Sequence, residues 1–159
     1  MEEIKTENPE AEGQKYLFVT VKDVEYGIEI GLVQEIIVMQ KISPLPGAKP
    51  FCKGVINIRG TIVPVIDLRV KIGLEPCEYT DLACIVVVIV EGERIGMIVE
   101  EVNDVLQLGP DKLQDSPAKN HGDRRYISCK IAKVNGTVKQ IMDMSRVFDL
   151  EPHEDNKAC

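Results

Sequence analysis

Val and Ile crowd into short runs along this chain, and each run stops at a turn former instead of continuing with the period of a helix. Such runs, bounded by Gly, Pro, Asn or Asp, read as strands. Five fall in the first half, at about Tyr16–Lys22, Glu25–Ile30, Val33–Met39, Gly54–Arg59 and Ile62–Ile66. Five more fall in the second, at about Ala83–Glu91, Glu93–Val99, Val102–Leu108, Tyr126–Val134 and Val138–Met142. Lys22–Asp23 and Gly92 supply tight hairpins, while Gly60 and Gly136 supply turns that need a positive φ. Asp67 and Asp143 each precede a short helical pattern, LRVKIGL and MSRVFDL, where a carboxylate can accept the first unpaired amide protons.

The two sets of strands repeat one another. A shift of 69 residues lays FVTVKDVEYGIEIGLVQEIIVM (Phe18–Met39) over VVIVEGERIGMIVEEVNDVLQL (Val87–Leu108), matching Gly27 to Gly96, Val33 to Val102 and Glu35 to Asp104. A shift of 76 lays GTIVPVIDLRVKIGL (Gly60–Leu74) over GTVKQIMDMSRVFDL (Gly136–Leu150), matching Asp67 to Asp143. The seven-residue difference falls in the loop-like GPDKLQDSPAKNHGD, Gly109–Asp123. Duplication predicts an all-β module of two lobes, each closing into a small barrel that leaves few exposed edges. Half a chain of this size is marginal alone, so the lobes should share apolar surface. The expected organisation is a disordered polar tail at 1–14, a domain at 15–150 and an acidic tail at 151–159. Within the domain the lobes should divide near residues 80 and 81, with strand exchange between them left open.

Composition narrows the function. The 159 residues are 44% hydrophobic and 28% charged, with a net charge of −7, which repels nucleic-acid backbones and anionic lipid. The longest apolar run, ACIVVVIV (Ala83–Val90), is far too short to span a bilayer. The polar N-terminus has no apolar segment of a signal peptide, so a cytoplasmic protein is expected. The five cysteines (Cys52, Cys77, Cys84, Cys129 and Cys159) show no CxxC spacing, and reduced thiols are expected in place of a disulfide framework or zinc site.

Catalytic signals are sparse. GxSxG, GxxxxGK and HExxH are absent, and His121 and His153 lie in polar surroundings. Asp67 and Asp143 read as helix caps, and Glu100–Glu101 and EPHED (Glu151–Asp155) as solvated acidic stretches. No catalytic residue, cofactor or metal site is expected. A thiol enzyme using Cys84 or Cys129, or a nucleic-acid-binding barrel, stand as alternatives with little behind them.

The stretch GVINIRGTIVPVIDLR (Gly54–Arg69) is different. Arg59 stands beside the turn glycine Gly60, so a cation should project from a hairpin tip. Its repeat partner is Asn135, which confines the cation to the first half. An arginine there suits either a surface contact with a nearby carboxylate or a probe of a partner protein. Pro64 cannot donate to a ladder, which predicts an edge strand or a bulge. In GLVQEIIVM, strand parity puts Val33 and Glu35 on one face, a mixture unsuited to a core.

KGVINIRGTIVPVIDLRVKIGL (Lys53–Leu74), with EYGIEIGLVQEI (Glu25–Ile36) and VEEVNDVLQL (Val99–Leu108), resembles the CheW family of chemotaxis coupling proteins over roughly Gly13 to Leu150. The resemblance implies two five-stranded SH3-like β-barrels packed over a shared hydrophobic core, with short helices. It implies a non-enzymatic adaptor linking the cytoplasmic tips of chemoreceptors to the regulatory domain of the histidine kinase CheA, recruited to the receptor array without entering the membrane. The family's receptor-contacting arginine corresponds to Arg59 and an adjacent apolar contact to Val33. Glu35 and Gly54 fall at sensitive positions, with Gly60 and Pro64 shaping the interface. The family's Asn-Leu-Arg-Gly stands here as Asn57-Ile58-Arg59-Gly60, a volume-conserving change.

Overall fold

The computed structural model describes residues 13–117 and 127–148. Eleven strands dominate these residues: β1 (Gln14–Val21), β2 (Val24–Glu29), β3 (Val33–Val38), β4 (Cys52–Ile58), β5 (Thr61–Asp67), β6 (Cys84–Val90), β7 (Glu93–Val99), β8 (Glu101–Leu108), β9 (Leu113–Asp115), β10 (Ser128–Val134) and β11 (Thr137–Met142). Two short helices, α1 (Leu68–Lys71) and α2 (Met144–Phe148), follow β5 and β11. The ten expected strands are present, each end within a few residues of its expected place. The addition is β9, inside the stretch read as loop. Residues 1–12, His121, the tail from 149 onward (His153 and Cys159 included) and the side chain of Cys129 lie outside the described residues.

Four hairpins turn on two residues that both have positive φ: Lys22–Asp23, Arg59–Gly60, Glu91–Gly92 and Asn135–Gly136. That geometry matches the right-handed twist of the flanking strands. The strands form two sheets, β3-β6-β7-β5-β4 and β8-β1-β2-β11-β10-β9, called here the first and second lobes. They cut across the expected boundary near residue 80, because each lobe takes strands from both halves of the chain. The leading hairpin of each half, β1–β2 or β6–β7, sits in the lobe built by the other half. Each enters through a parallel pairing, and the registers agree with the repeat: Val65 opposes Gly96 in one lobe, and Ile141 opposes Gly27 in the other.

Neither ladder closes into a complete barrel, so the expected closure is only approximate. In the first lobe β3 and β4 are both edges, and the chain leaving β3 touches β4 through a single bridge, Ser43–Val55. The same path in the second lobe is β9, which pairs with β10 over three positions. The extra strand is thus the fuller form of a contact present in both lobes.

Burial follows this architecture. One cluster fills the first lobe (Ile56, Ile58, Val63, Val65, Ile85, Val87, Ile98), and another fills the second (Tyr16, Phe18, Leu108, Ala132, Ile141). The largest lies between the lobes and includes Leu17, Val19 and Ile28 from one sheet, Val86, Val88 and Met97 from the other, and Leu68, Val147 and Phe148 from the helices. Sheets buried on both faces explain the unbroken run CIVVVIV in β6, where Val86 and Val88 face the shared layer while Ile85 and Val87 face the lobe interior. Each fully buried Val or Ile contributes roughly 1.5–3 kcal/mol, and the shared layer gives two thin lobes a common core.

Pro64 does not lie in an edge strand: β5 runs between β7 and β4. The bulge near it, between Cys52 and Gly54, is on the partner strand β4. Counting outward from the two-residue turn, Pro64 and Val55 form a non-hydrogen-bonded pair, so β4 does not need the missing N–H. Pairing with β7 begins only at Val65.

Candidate protein-interaction site

Arg59 and Gly60 make the β4–β5 turn, with φ of 48° and 89°. The Gly60 amide donates to Asn57 Oδ1 at 2.8 Å, fixing the turn from within. Ile58 and Val63, both buried in the first-lobe core, anchor the strands beside it. A side chain built at Gly60 would meet nothing within 4 Å, so the tip stands clear of the rest of the molecule. The Arg59 side chain is 74% exposed, and its Nη2 donates to Glu35 Oε2 at 2.6 Å. Because β3 and β4 are the two edges of the first lobe, this ion pair crosses the same seam as the Ser43–Val55 bridge. An exposed pair of this kind contributes about 0.2–1 kcal/mol, so its value is geometric more than energetic.

Val33 and Glu35 are not on one face, and the parity reading is corrected here. The β3–β6 register shifts between them, with Val33 opposite Val88 and Glu35 opposite Val87. A bulge adds one residue to a strand and reverses which way the following side chains point. Val33 therefore packs against the inter-lobe cluster, while Glu35 lies on the side of the first-lobe interior. The structure brings Glu35 and Arg59 together and leaves Val33 on the other face of β3.

Gly54 is structural and buried, with φ of 137°. A Cβ there would lie 2.0 Å from the Ser43 carbonyl oxygen, so only glycine lets the chain after β3 approach β4. Two features escaped the sequence reading. Ile36 and Val38, 43% and 77% exposed, form an apolar strip along the outer edge of β3. The unbroken run Ile36–Met39 was the available signal, since an edge strand cannot bury four consecutive side chains. The second is Tyr79, whose hydroxyl donates to the buried Asp67 carboxylate at 2.6 Å. Burial first, then the hydrogen bond and charge of Asp67, raises the Tyr79 pKa well above its ordinary value.

Asp67 and Asp143 cap the two helices, accepting from the amides of Arg69 at 3.0 Å and Ser145 at 3.1 Å. Burial pushes the Cys84 thiol pKa up, opposite to what a thiolate nucleophile needs. Cys77 and Cys84 are free thiols. Among the described residues no helix is long and apolar enough to cross a membrane.

Comparison with known proteins agrees with this architecture. The family model for the CheW-like domain matches residues 15–152. The chemotaxis protein CheW of Bacillus subtilis is 34% identical over 139 residues, 87% of this chain and 89% of that protein. The CheW of Klebsiella aerogenes is 40% identical over 109 residues, 68% of this chain and 65% of that protein. The crystal structure of the scaffolding protein TtCheW from Thermoanaerobacter tengcongensis superposes with a TM-score of 0.80 at 26% identity, covering 89% of this chain and 97% of that one. The duplicated strands, the exchanged hairpins and the shared core are thus those of a known architecture, and the chain belongs to the CheW-like domain family.

Proposed function

We propose that the protein is a non-enzymatic scaffold of bacterial chemotaxis, working in the cytoplasm and coupling chemoreceptor tips to the regulatory domain of the histidine kinase CheA. The observation that carries the receptor half is Arg59: a cation on a rigid, uncrowded hairpin tip, in a turn that the second lobe builds with Asn135 instead. A side chain held there is available to a helical partner, and arginine is among the residues that anchor interfaces. Val33, on the opposite face of β3 from Glu35, would lend apolar contact from the inter-lobe side.

The kinase half rests on the β3 edge. Ile36 and Val38 present apolar surface on a strand whose outer side is unpaired within the sheet, and such edges favour pairing with another protein. The scaffolding protein TtCheW, with a superposable fold, and the CheW relatives support the same reading. The test is co-sedimentation of the purified protein with a receptor-tip fragment and the kinase regulatory domain. A ternary assembly is expected, and failure to bind either partner would overturn the coupling role.

A further inference from the structure

We propose that Arg69 is a positioning residue for the receptor site, fixing the angle between the two lobes by holding the β7–β8 crossing. The link to the receptor rests on the reading given above. Among the described residues the chain passes between the lobes twice, through Ile30–Leu32 from β2 to β3 and through Glu100 from β7 to β8. The repeat makes these crossings equivalent, since a shift of 69 lays Gly31 over Glu100. They are built very differently.

Glu100 is bonded to both lobes. Its amide donates to the Thr20 carbonyl of β1 at 3.0 Å, so its backbone joins the second lobe. Its carboxylate accepts at 2.5 Å from Nη1 of Arg69, on the helix that follows β5 of the first lobe. Arg69 Nε donates to the Glu75 carbonyl at 2.7 Å, and the Arg69 side chain is only 16% exposed. The helix carrying it is itself held, because buried Asp67 accepts from the Arg69 amide and from the Tyr79 hydroxyl. At the other crossing a Cβ on Gly31 would meet open space, and no side chain caps the turn. Ser145 stands where the repeat would put Arg69. The pairs of Arg59 with Glu35 and of Lys139 with Glu25 each stay within one lobe.

The apolar layer between the lobes is cohesive but non-directional, so it resists separation more than sliding. A planar guanidinium held through two of its nitrogens fixes direction. Val33 packs against that layer from β3, and Val102, its repeat partner, from β8. A helix reaching Val33 from the inter-lobe side therefore meets walls from both lobes, and their angle decides its fit. The β3 edge offered to the kinase lies wholly within the first lobe.

The test labels the full chain with nitrogen-15 and fits amide residual dipolar couplings separately for each lobe in a weakly aligning medium. One alignment tensor should fit both lobes of the wild-type protein. In Arg69→Gln each lobe should keep its own backbone but need its own tensor. With the receptor-competent angle populated about one fifth of the time, calorimetry with a receptor-tip fragment should show a loss of about fivefold in affinity. Affinity for the kinase regulatory domain should not change. Glu100→Gln should reproduce these effects and add nothing in the Arg69→Gln background, and it serves if Arg69→Gln folds poorly.

A single shared tensor in Arg69→Gln would overturn the inference, and equal losses for both partners would reduce Arg69 to a general stabiliser. Separate tensors with unchanged receptor affinity would equally remove its positioning role. A wild-type protein that fails to bind the receptor fragment would instead remove the receptor reading, while the couplings would still decide whether Arg69 holds the lobes.

Discussion

Replacing Gly54 by alanine should destabilise the protein far more than the loss of a surface turn would. The residue has φ of 137°, where side-chain-bearing residues are strained by about 1–3 kcal/mol. The added Cβ would lie 2.0 Å from the Ser43 oxygen and 2.7 Å from its carbonyl carbon, both backbone atoms that cannot swing aside. Relief requires the two edges of the first lobe to part. That sacrifices the reciprocal bonds from Ser43 N to Val55 O and from Val55 N to Ser43 O, each 2.9 Å. At about 1 kcal/mol net per hydrogen bond, strain and lost bonds together come to about 3–5 kcal/mol. That is a large share of the roughly 5–15 kcal/mol that holds a domain together. Urea unfolding followed by far-UV circular dichroism measures the change directly. A loss below about 1 kcal/mol would refute the claim that close approach at this seam dictates glycine.

Other expectations follow from the same geometry. Tyr79→Phe removes the donor to the buried Asp67 carboxylate and should cost about 2 kcal/mol in the same assay. Because the folded Tyr79 pKa is raised above its ordinary 10.0, the native state keeps a proton that the unfolded state gives up at high pH. Stability should therefore be fully present below pH 10 and fall as pH rises beyond it. The fall should be shallower in Tyr79→Phe but not abolished, since burial raises Tyr26 as well. Val38→Asp changes a side chain that is 77% exposed and should shift stability by no more than about 0.5 kcal/mol. It should nonetheless abolish pull-down by the kinase regulatory domain while sparing receptor binding, and normal kinase binding would remove β3 from that interface.

Much of the fold could be read from period and punctuation. Alternating Val and Ile between turn formers located ten strands, and the spacing of Gly27, Gly96, Asp67 and Asp143 exposed the duplication. Which sheet each strand joins was not legible, because either leading hairpin could satisfy its apolar faces in either lobe; only long-range pairing such as Val65 with Gly96 decides it. β9 was missed because three residues behind a prolyl turn carry no periodic signal. At the site, Arg59 was legible from its turn glycine, and its carboxylate contact was one of the two readings open to it. The facing of Glu35 was not, since the bulge beside Gln34 reverses the parity on which that reading relied.

The most direct test of the coupling account replaces the tip cation by its opposite. Arg59→Glu should leave the fold and the affinity for the kinase regulatory domain unchanged, while weakening receptor-fragment binding by more than about 1 kcal/mol, or upwards of fivefold. A variant that binds the receptor fragment as tightly as the wild-type protein would contradict it.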